Sequence, residues 1–171
     1  MSLHAANETL LLETLDRQGI AWELLDHAAV FTVEESAELH GRIAGAHTKN
    51  LFLKDAGGRF WLVSAPHDAR VDLKLLPAVI GAKKLSFGKA EDMERLLGVT
   101  PGSVTPLAAM NDAAAMVTVV IDARLAQADR VNVHPLRNTA TLGLSGAALC
   151  AFLGQCGHAA VIVDLPAGPT N

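Results

Sequence analysis

The strongest constraint on the fold is an unbroken run of β-branched residues at Val117–Ile121, which predicts a strand. β-branched side chains pack well on a pleated sheet and lose rotamer freedom in a helix. Shorter runs predict further strands at Val131–Val133 and Val161–Val163, and residues 138–142 alternate in the pattern of another strand. A chain of this kind is expected to build a sheet from several short strands.

The first half of the chain predicts a β-hairpin. Apolar runs lie within residues 47–55 and 60–64, and the pair Gly57-Gly58 between them is typical of a tight turn. Alternation over Ile20–Leu24 predicts a strand before the hairpin. A brief strand is predicted after it, at Leu85–Phe87.

Helices are predicted from amphipathic spacing and from capping residues. One runs from about residue 7 to 18, with Asn7 as its N-cap and Gly19 just past its end. Thr32 and Glu35 form a capping box that opens a second, short helix. Further helices are predicted at Val71–Leu76, stopped by Pro77, at Ala90–Leu97, ended by Gly98, and from Ser145 to about Leu153.

The order of these elements favours an α+β domain with a mixed or antiparallel sheet and short peripheral helices. Hairpins adjoin each other and helices are placed irregularly, unlike the regular alternation of a doubly wound parallel fold. The glycine patterns of dinucleotide and P-loop sites are absent. A length of 171 residues fits a single domain over residues 1–171.

Charge and composition argue against two broad classes of protein. No segment holds 18 unbroken apolar residues, so no membrane span is expected. The net charge of −4 argues against a protein that coats duplex nucleic acid, because neutralising phosphates requires a basic surface. Met1–Asn7 lacks the pattern of a signal peptide, and Cys150 and Cys156 lack paired metal-ligand spacing. We therefore expect a cytoplasmic protein with two separate, reduced cysteines.

Familiar local signatures of catalysis are absent. No serine lies in a Gly-x-Ser-x-Gly elbow, and no histidine pair has His-Glu-x-x-His spacing. His40 and His47 are seven residues apart, which would align them on one helix, but Gly41 and Gly45 interrupt it. A covalent mechanism and a metal site are therefore both disfavoured.

Three polar stretches are unusual for a plain core. Lys49 and Asn50 abut an apolar strand, where a cation can hold a phosphate or carbonyl oxygen, although a lysine there also protects a strand edge. Gly102–Pro106 belongs to a turn-rich segment that is expected to be irregular. Its free N–H groups could face a ligand oxygen, or the segment could be an ordinary connection between elements. His134, fixed by Pro135 at a strand end, is a site residue or a satisfied structural histidine.

In sequence order, these stretches resemble the YbaK/prolyl-tRNA synthetase editing-domain family. Thr48–Leu53 is similar to its lysine motif, Gly102–Pro106 to its Gly-x-x-x-Pro loop, and Asn132–Thr141 to its C-terminal histidine segment. His27–Glu35 resembles its opening stretch, with Ala28 in place of the family's usual proline. That departure affects a turn and not the chemistry.

The resemblance covers roughly residues 20 to 163 and implies a mixed, partly barrel-like sheet. It is closest to free-standing members that clear alanine from tRNA for proline, by ester hydrolysis without metal, cofactor or covalent intermediate. Prolyl-tRNA synthetase is a second implied partner. Lys49, Gly102 and His134 are the implied catalytic residues, with His134 matching a histidine that shapes a small pocket. The implied substrate-binding residues are Asn50, Ser103, Val104, Thr105 and Pro106.

Other functions stay open at this point. The amino acid removed could be cysteine, which another branch of the family clears. The chain could instead be a non-catalytic nucleic-acid-binding module or a hydrolase of another small ester or amide. A basic face for tRNA could form despite the negative net charge, or the same cations could be ordinary solvated surface. These cations are Lys54, Arg70, Lys74, Lys83, Lys84 and Lys89.

Overall fold

Short strands and helices alternate irregularly in the computed structural model, which describes residues 8–30 and 32–168. The helices are α1 (Glu8–Arg17), α2 (Val33–Arg42), α3 (Leu76–Ile80), α4 (Ala90–Leu97), α5 (Ala123–Ala126) and α6 (Gly146–Gln155). The strands are β1 (Glu23–Asp26), β2 (Ala46–Asp55), β3 (Phe60–Pro66), β4 (Leu85–Phe87), β5 (Val117–Asp122), β6 (Val131–Val133), β7 (Ala140–Leu144) and β8 (Val161–Val163). Two 3₁₀ helices, Pro101–Ser103 and Pro106–Asn111, precede β5.

The strands form one open, mixed sheet in the order β1-β7-β6-β2-β3-β5-β8, with β4 also paired to β2. β3 with β5, β5 with β8, and β2 with β6 run parallel, and the remaining pairs are antiparallel. The expected mixed α+β architecture is confirmed. The β-branched run at Val117–Ile121 lies within β5, an interior strand whose residues are almost all buried.

The predicted hairpin is confirmed as β2 and β3, and a buried carboxylate organises its turn. Asp55 Oδ1 accepts hydrogen bonds from the backbone N–H groups of Gly57 and Arg59, at 2.9 and 3.0 Å. Asp55 Oδ2 accepts from the backbone N–H of Lys83 at 3.2 Å. Burial alone would raise the pKa of Asp55, but these donors outweigh it and the pKa is lowered. The carboxylate therefore joins the hairpin turn to the segment that leads into β4.

Two caps are placed as the sequence predicts. Thr32 Oγ1 accepts from the backbone N–H of Glu35 at 3.0 Å, which begins α2. Ser145 Oγ accepts from the backbone N–H of Ala148 at 3.0 Å, which begins α6. The predicted N-cap Asn7 lies outside the described residues.

Several predicted boundaries are wrong. The helix expected at Val71–Leu76 does not form, and Pro77 instead lies in the first turn of α3, where its missing N–H has no intrahelical partner to lose. The strand predicted at Ile20–Leu24 begins later, at Glu23, and the one predicted at 138–142 is shifted to β7. The segment expected to be irregular before Pro106 contains the first 3₁₀ helix.

The core consists of three buried clusters on the two faces of the sheet. The largest is built by α1, α6, β6 and β7 and includes Phe152 and Leu142. The second packs α4 against β2 and β3, with the rings of Phe52 and Phe60 stacked 5.6 Å apart. The third surrounds Trp61 under α3. None of the helices in the described part of the chain is both long and apolar enough to cross a membrane.

Candidate functional site

The edge of β2 opposite β3 is interrupted at the predicted site. β6 pairs with β2 only at Ala46 and His47, and β4 pairs with it only over residues 53–55. Between these pairings, no strand in the described ranges covers residues 48–52 along this edge. Lys49 and Asn50 therefore lie at a gap in the sheet, where no neighbouring strand pairs with this edge of β2.

Asn50 ties this gap to the turn-rich loop. Its side-chain Nδ2 donates to the Val104 carbonyl oxygen at 3.2 Å, and its Oδ1 accepts from Ser64 Oγ at 2.5 Å. The amide is therefore held between the neighbouring strand β3 and the loop. This hydrogen bond brings together two predicted site segments that are 54 residues apart.

The loop also abuts the segment that follows His134. A Cβ atom placed on Gly102 would lie 3.4 Å from Asn138 Nδ2, so the glycine permits close contact there. The Ser103 N–H donates to the Thr100 carbonyl at 2.9 Å, and Thr105 Oγ1 accepts from the Leu107 N–H at 3.3 Å. Gly102 is exposed, and the rest of the loop is locally organised.

The side chains of the other predicted loop residues are not presented to solvent. Ser103, Val104, Thr105 and Pro106 are all buried. Any contact that they make with a ligand would therefore use main-chain atoms. Sequence reasoning identified the segment but not this inward orientation.

His134 lines a small cavity of about 190 Å³ beside β6 and β7. Burial lowers the pKa of His134, and a hydrogen bond with the Ala140 backbone only partly opposes that effect. Its Nδ1 is buried and has no hydrogen-bond partner in the described structure. The neutral ring therefore keeps one nitrogen that is unsatisfied but inaccessible from the cavity.

Residues that sequence reasoning did not assign to the site also line this cavity. His27 Nε2 is hydrogen-bonded to Thr141 Oγ1 at 2.9 Å, and Thr48 Oγ1 donates to the Asn132 carbonyl at 2.8 Å. Each of these four residues lies within a quoted motif. Their convergence depends on pairing between β1 and β7 and between β2 and β6, which motif spacing does not reveal.

Lys49 lines a different cavity, of about 570 Å³. Its other lining residues are the segment 70–74 and Gly168. The structure therefore brings the lysine strand, the loop and the histidine segment into contact, but it does not place Lys49 and His134 in one cavity. Of the six cations predicted as a basic face, Arg70 and Lys74 line the Lys49 cavity.

Three histidines cluster where the sequence indicated separation. Gly41 lies within α2 and does not interrupt it, but the helix ends at Arg42, before Gly45, and the chain then turns into β2. The His40 and His47 rings stack there with their centroids 4.0 Å apart. The His67 ring lies edge-on, 4.6 Å from that of His40. Within the described ranges, no group of three or more His, Cys, Asp or Glu side chains has an arrangement suited to a metal ion.

Comparison with known proteins adds a family and several relatives. A family model described as "Aminoacyl-tRNA editing domain" matches residues 27–152. The chain is similar to the "Prolyl-tRNA editing protein ProX" of Acetoanaerobium sticklandii, at 40% identity over 136 residues, covering 79% of this chain and 83% of that protein. It is also similar to "Prolyl-tRNA synthetase associated domain-containing protein 1" of Danio rerio, at 37% identity over 156 residues, covering 90% of this chain and 85% of that one.

Two solved structures share the fold. The crystal structure of hypothetical protein APE2540 has a TM-score of 0.73 at 25% identity, covering 93% of this chain and 99% of that one. A structure described as a candidate trans-editing enzyme for prolyl tRNA synthetase has a TM-score of 0.70 at 20% identity, covering 98% and 99%. These likenesses agree with the mixed sheet and short helices described above.

Proposed function

Because the chain belongs to the aminoacyl-tRNA editing domain family, we propose that it is a trans-acting deacylase that removes alanine from tRNA for proline. The observation that carries this proposal is the hydrogen bond from Asn50 to the Val104 carbonyl, which joins the lysine strand to the glycine loop. The relative in Acetoanaerobium sticklandii, which is named as a prolyl-tRNA editing protein, supports the choice of tRNA. Alanine in place of cysteine is the more specific part of the proposal.

The proposed chemistry relies on positioning and electrostatics. An aminoacyl ester is already activated, so water can attack its carbonyl carbon without a covalent enzyme intermediate. The tetrahedral oxyanion then collapses, the ester C–O bond breaks, and the ribose oxygen leaves with a proton. The free hydroxyl beside the ester on the terminal ribose orients the attacking water.

Each predicted residue has a distinct role in this scheme. Lys49 holds a phosphate or ribose oxygen of the RNA. The main-chain N–H of Gly102 stabilises the oxyanion, and the Asn50 side chain holds the loop that presents it. The loop residues from Ser103 to Pro106 support that main chain from buried positions. No cofactor is required.

His134 is proposed to select the amino acid. Its ring forms part of the wall of the cavity of about 190 Å³ and limits the space that a substrate side chain can occupy there. Because the Nδ1 of His134 is buried, the ring contributes bulk to this wall and not a hydrogen bond to the substrate. Because a synthetic pocket separates alanine from proline by few contacts, a second pocket that admits only the smaller residue completes a double sieve.

The place and partners of the reaction follow from this proposal. Its substrate is charged tRNA in the cytoplasm, where translation uses it. Prolyl-tRNA synthetase is the proposed source of the mischarged product. The name of the Danio rerio relative connects that protein with the same synthetase.

The test is to charge tRNA for proline separately with alanine, cysteine and proline and to follow ester loss. We expect rapid loss of alanine alone with the unmodified protein, and a reduction of at least about 100-fold with Lys49→Ala, typical of losing one electrostatic contact. Loss of cysteine instead would keep the family function and change the substrate. Ester loss no faster than in buffer would overturn the deacylase and leave a nucleic-acid-binding module.

A further inference from the structure

The cavity that contains Lys49 carries an unusual concentration of positive charge. Arg70 and Lys74 line it together with Lys49, on a chain whose net charge is −4. Throughout residues 8–30 and 32–168, no ion pair or side-chain hydrogen bond involves any of these three cations. Three unneutralised cations around one concavity favour the binding of an anion.

Four arginines elsewhere on the protein are paired with carboxylates. Arg124 is paired with Asp122, Arg130 with Glu23, and Arg95 with Asp92. Arg137 contacts two carboxylates, those of Glu8 and Asp26. Other arginines also lack a carboxylate partner among the described residues, so the Lys49 cavity is distinguished by its three cations around one concavity.

Asp72, the one carboxylate among the described residues of the lining, has another function. Its Oδ1 accepts from the backbone N–H groups of Lys74 and Leu75, at 2.9 and 3.2 Å. These bonds fix the turn that carries Lys74 ahead of α3. The cavity keeps an excess of positive charge, and Val71 and Leu73 add apolar wall.

The C-terminal segment fixes this wall in place. Val71 forms a β-bridge with Ala167, and the Gly168 N–H donates to the Arg70 carbonyl at 2.6 Å. The Asp72 N–H donates to the Pro166 carbonyl at 2.8 Å. Both sides of the cavity are therefore held by main-chain hydrogen bonds, which substitution of the Arg70 or Lys74 side chain leaves intact.

We propose that the cavity of Lys49, Arg70 and Lys74 binds a backbone phosphodiester of the single-stranded 3′ end of the RNA. This inference rests on the proposed function: Lys49 and Asn50 project from opposite faces of β2 beside the gap, so the RNA would pass across that unpaired edge to reach the glycine loop. A phosphodiester supplies the anion, and the ribose beside it can contact the apolar wall. Arg70 and Lys74 are then positioning residues that bind the RNA and take no part in choosing the amino acid.

The test compares Arg70→Gln/Lys74→Gln with a control, Arg17→Gln/Arg95→Gln, which removes the same charge from α1 and α4. With alanyl-tRNA, the first variant is expected to raise KM about tenfold with kcat nearly unchanged. For this variant, the slope of log(kcat/KM) against the logarithm of the salt concentration should be shallower by about 0.7, the value for one lost phosphate contact. The control should match the unmodified protein. Alanyl adenosine without phosphate should be hydrolysed equally by all three proteins.

Binding measured without catalysis separates this inference from the deacylase proposal. An unacylated RNA trinucleotide, cytidylyl-cytidylyl-adenosine, should bind the unmodified protein and the control, with affinity about tenfold lower in Arg70→Gln/Lys74→Gln. Inorganic phosphate should compete with the trinucleotide for the cavity. If inorganic phosphate binds but the trinucleotide does not, the assignment of the cavity to RNA is overturned. Equal RNA affinity in both double variants would overturn the inference even if alanine is removed. If no ester is hydrolysed, the binding result still decides it.

Discussion

Lys49 and Asn50 are neighbours in the chain, yet their side chains lie in different surroundings. Side chains alternate between the two faces of a strand, so adjacent residues of β2 point in opposite directions. The Asn50 side chain is hydrogen-bonded to the glycine loop, whereas Lys49 lines the cavity that also contains Arg70 and Lys74. The sequence predicted both as site residues from the motif, and strand alternation was sufficient to predict that their side chains diverge. The partners on each face depend on distant segments, which local pattern does not identify.

The size of the side chain at position 134 is expected to control the selection of alanine over proline. Replacing it with alanine enlarges the small cavity, so we expect His134→Ala to hydrolyse prolyl-tRNA and to lower the alanine-to-proline ratio of kcat/KM by about 10- to 100-fold. The ratio is measured with the same tRNA carrying each amino acid. His134→Gln, which keeps most of the bulk, should retain most of the discrimination. An unchanged ratio in His134→Ala would show that His134 does not determine which amino acid is removed.

Among the secondary-structure elements, those set by local signals were predicted best. The hairpin of β2 and β3 and the cap of α6 each depend on residues close together in the chain. The helix predicted at 71–76 failed because the main chain there pairs instead with the C-terminal segment, through Val71 and Ala167. A contact across almost a hundred residues has no local signature, and it displaces α3 to begin around Pro77.

The start of α6 requires a glycine for close packing against α5. A Cβ atom on Gly146 would lie 2.1 Å from the Leu125 carbonyl oxygen and 2.6 Å from that of Ala126, and main-chain atoms cannot easily move aside. We expect Gly146→Ala to lower the free energy of unfolding by about 3 kcal/mol, at the upper end of the cost of overpacking. Urea denaturation measures this change.

The matched control lies on the same helix. Gly154 has no atom within 4 Å of an added Cβ, so Gly154→Ala should leave stability unchanged or raise it by up to about 1 kcal/mol. Similar destabilisation by both variants would show that helix propensity, and not contact with α5, determines the result.

Across the whole molecule, the histidine cluster should make stability depend on pH. The pKa of His40 is lowered from 6.5 to about 4, mainly by burial and to a smaller extent by the neighbouring His47 and His67. Since the unfolded chain binds this proton more readily, stability is expected to fall as pH decreases from about 6.5 to about 4. The loss should be about 1–2 kcal/mol, allowing for solvent screening at a partly exposed ring.

The measurement is the free energy of unfolding at several pH values for the unmodified protein and for His40→Gln. The variant should lose less stability over that interval, because its side chain does not titrate. Parallel curves for the two proteins would assign the acid sensitivity to other groups. The cluster itself was not predicted, because His40, His47 and His67 meet only after α2 folds against the hairpin.

The gap along β2 also bears on how this protein avoids aggregation. An unpaired strand edge invites another chain to add to the sheet. Here the stretch without a strand partner on this edge, residues 48–52, is bounded by β6 at one end and β4 at the other, and the Phe52 carbonyl already accepts from the Gly88 N–H at 2.8 Å. A foreign strand of ordinary length would collide with β6 or β4. The shortness of the gap is therefore expected to disfavour the addition of another polypeptide to the sheet.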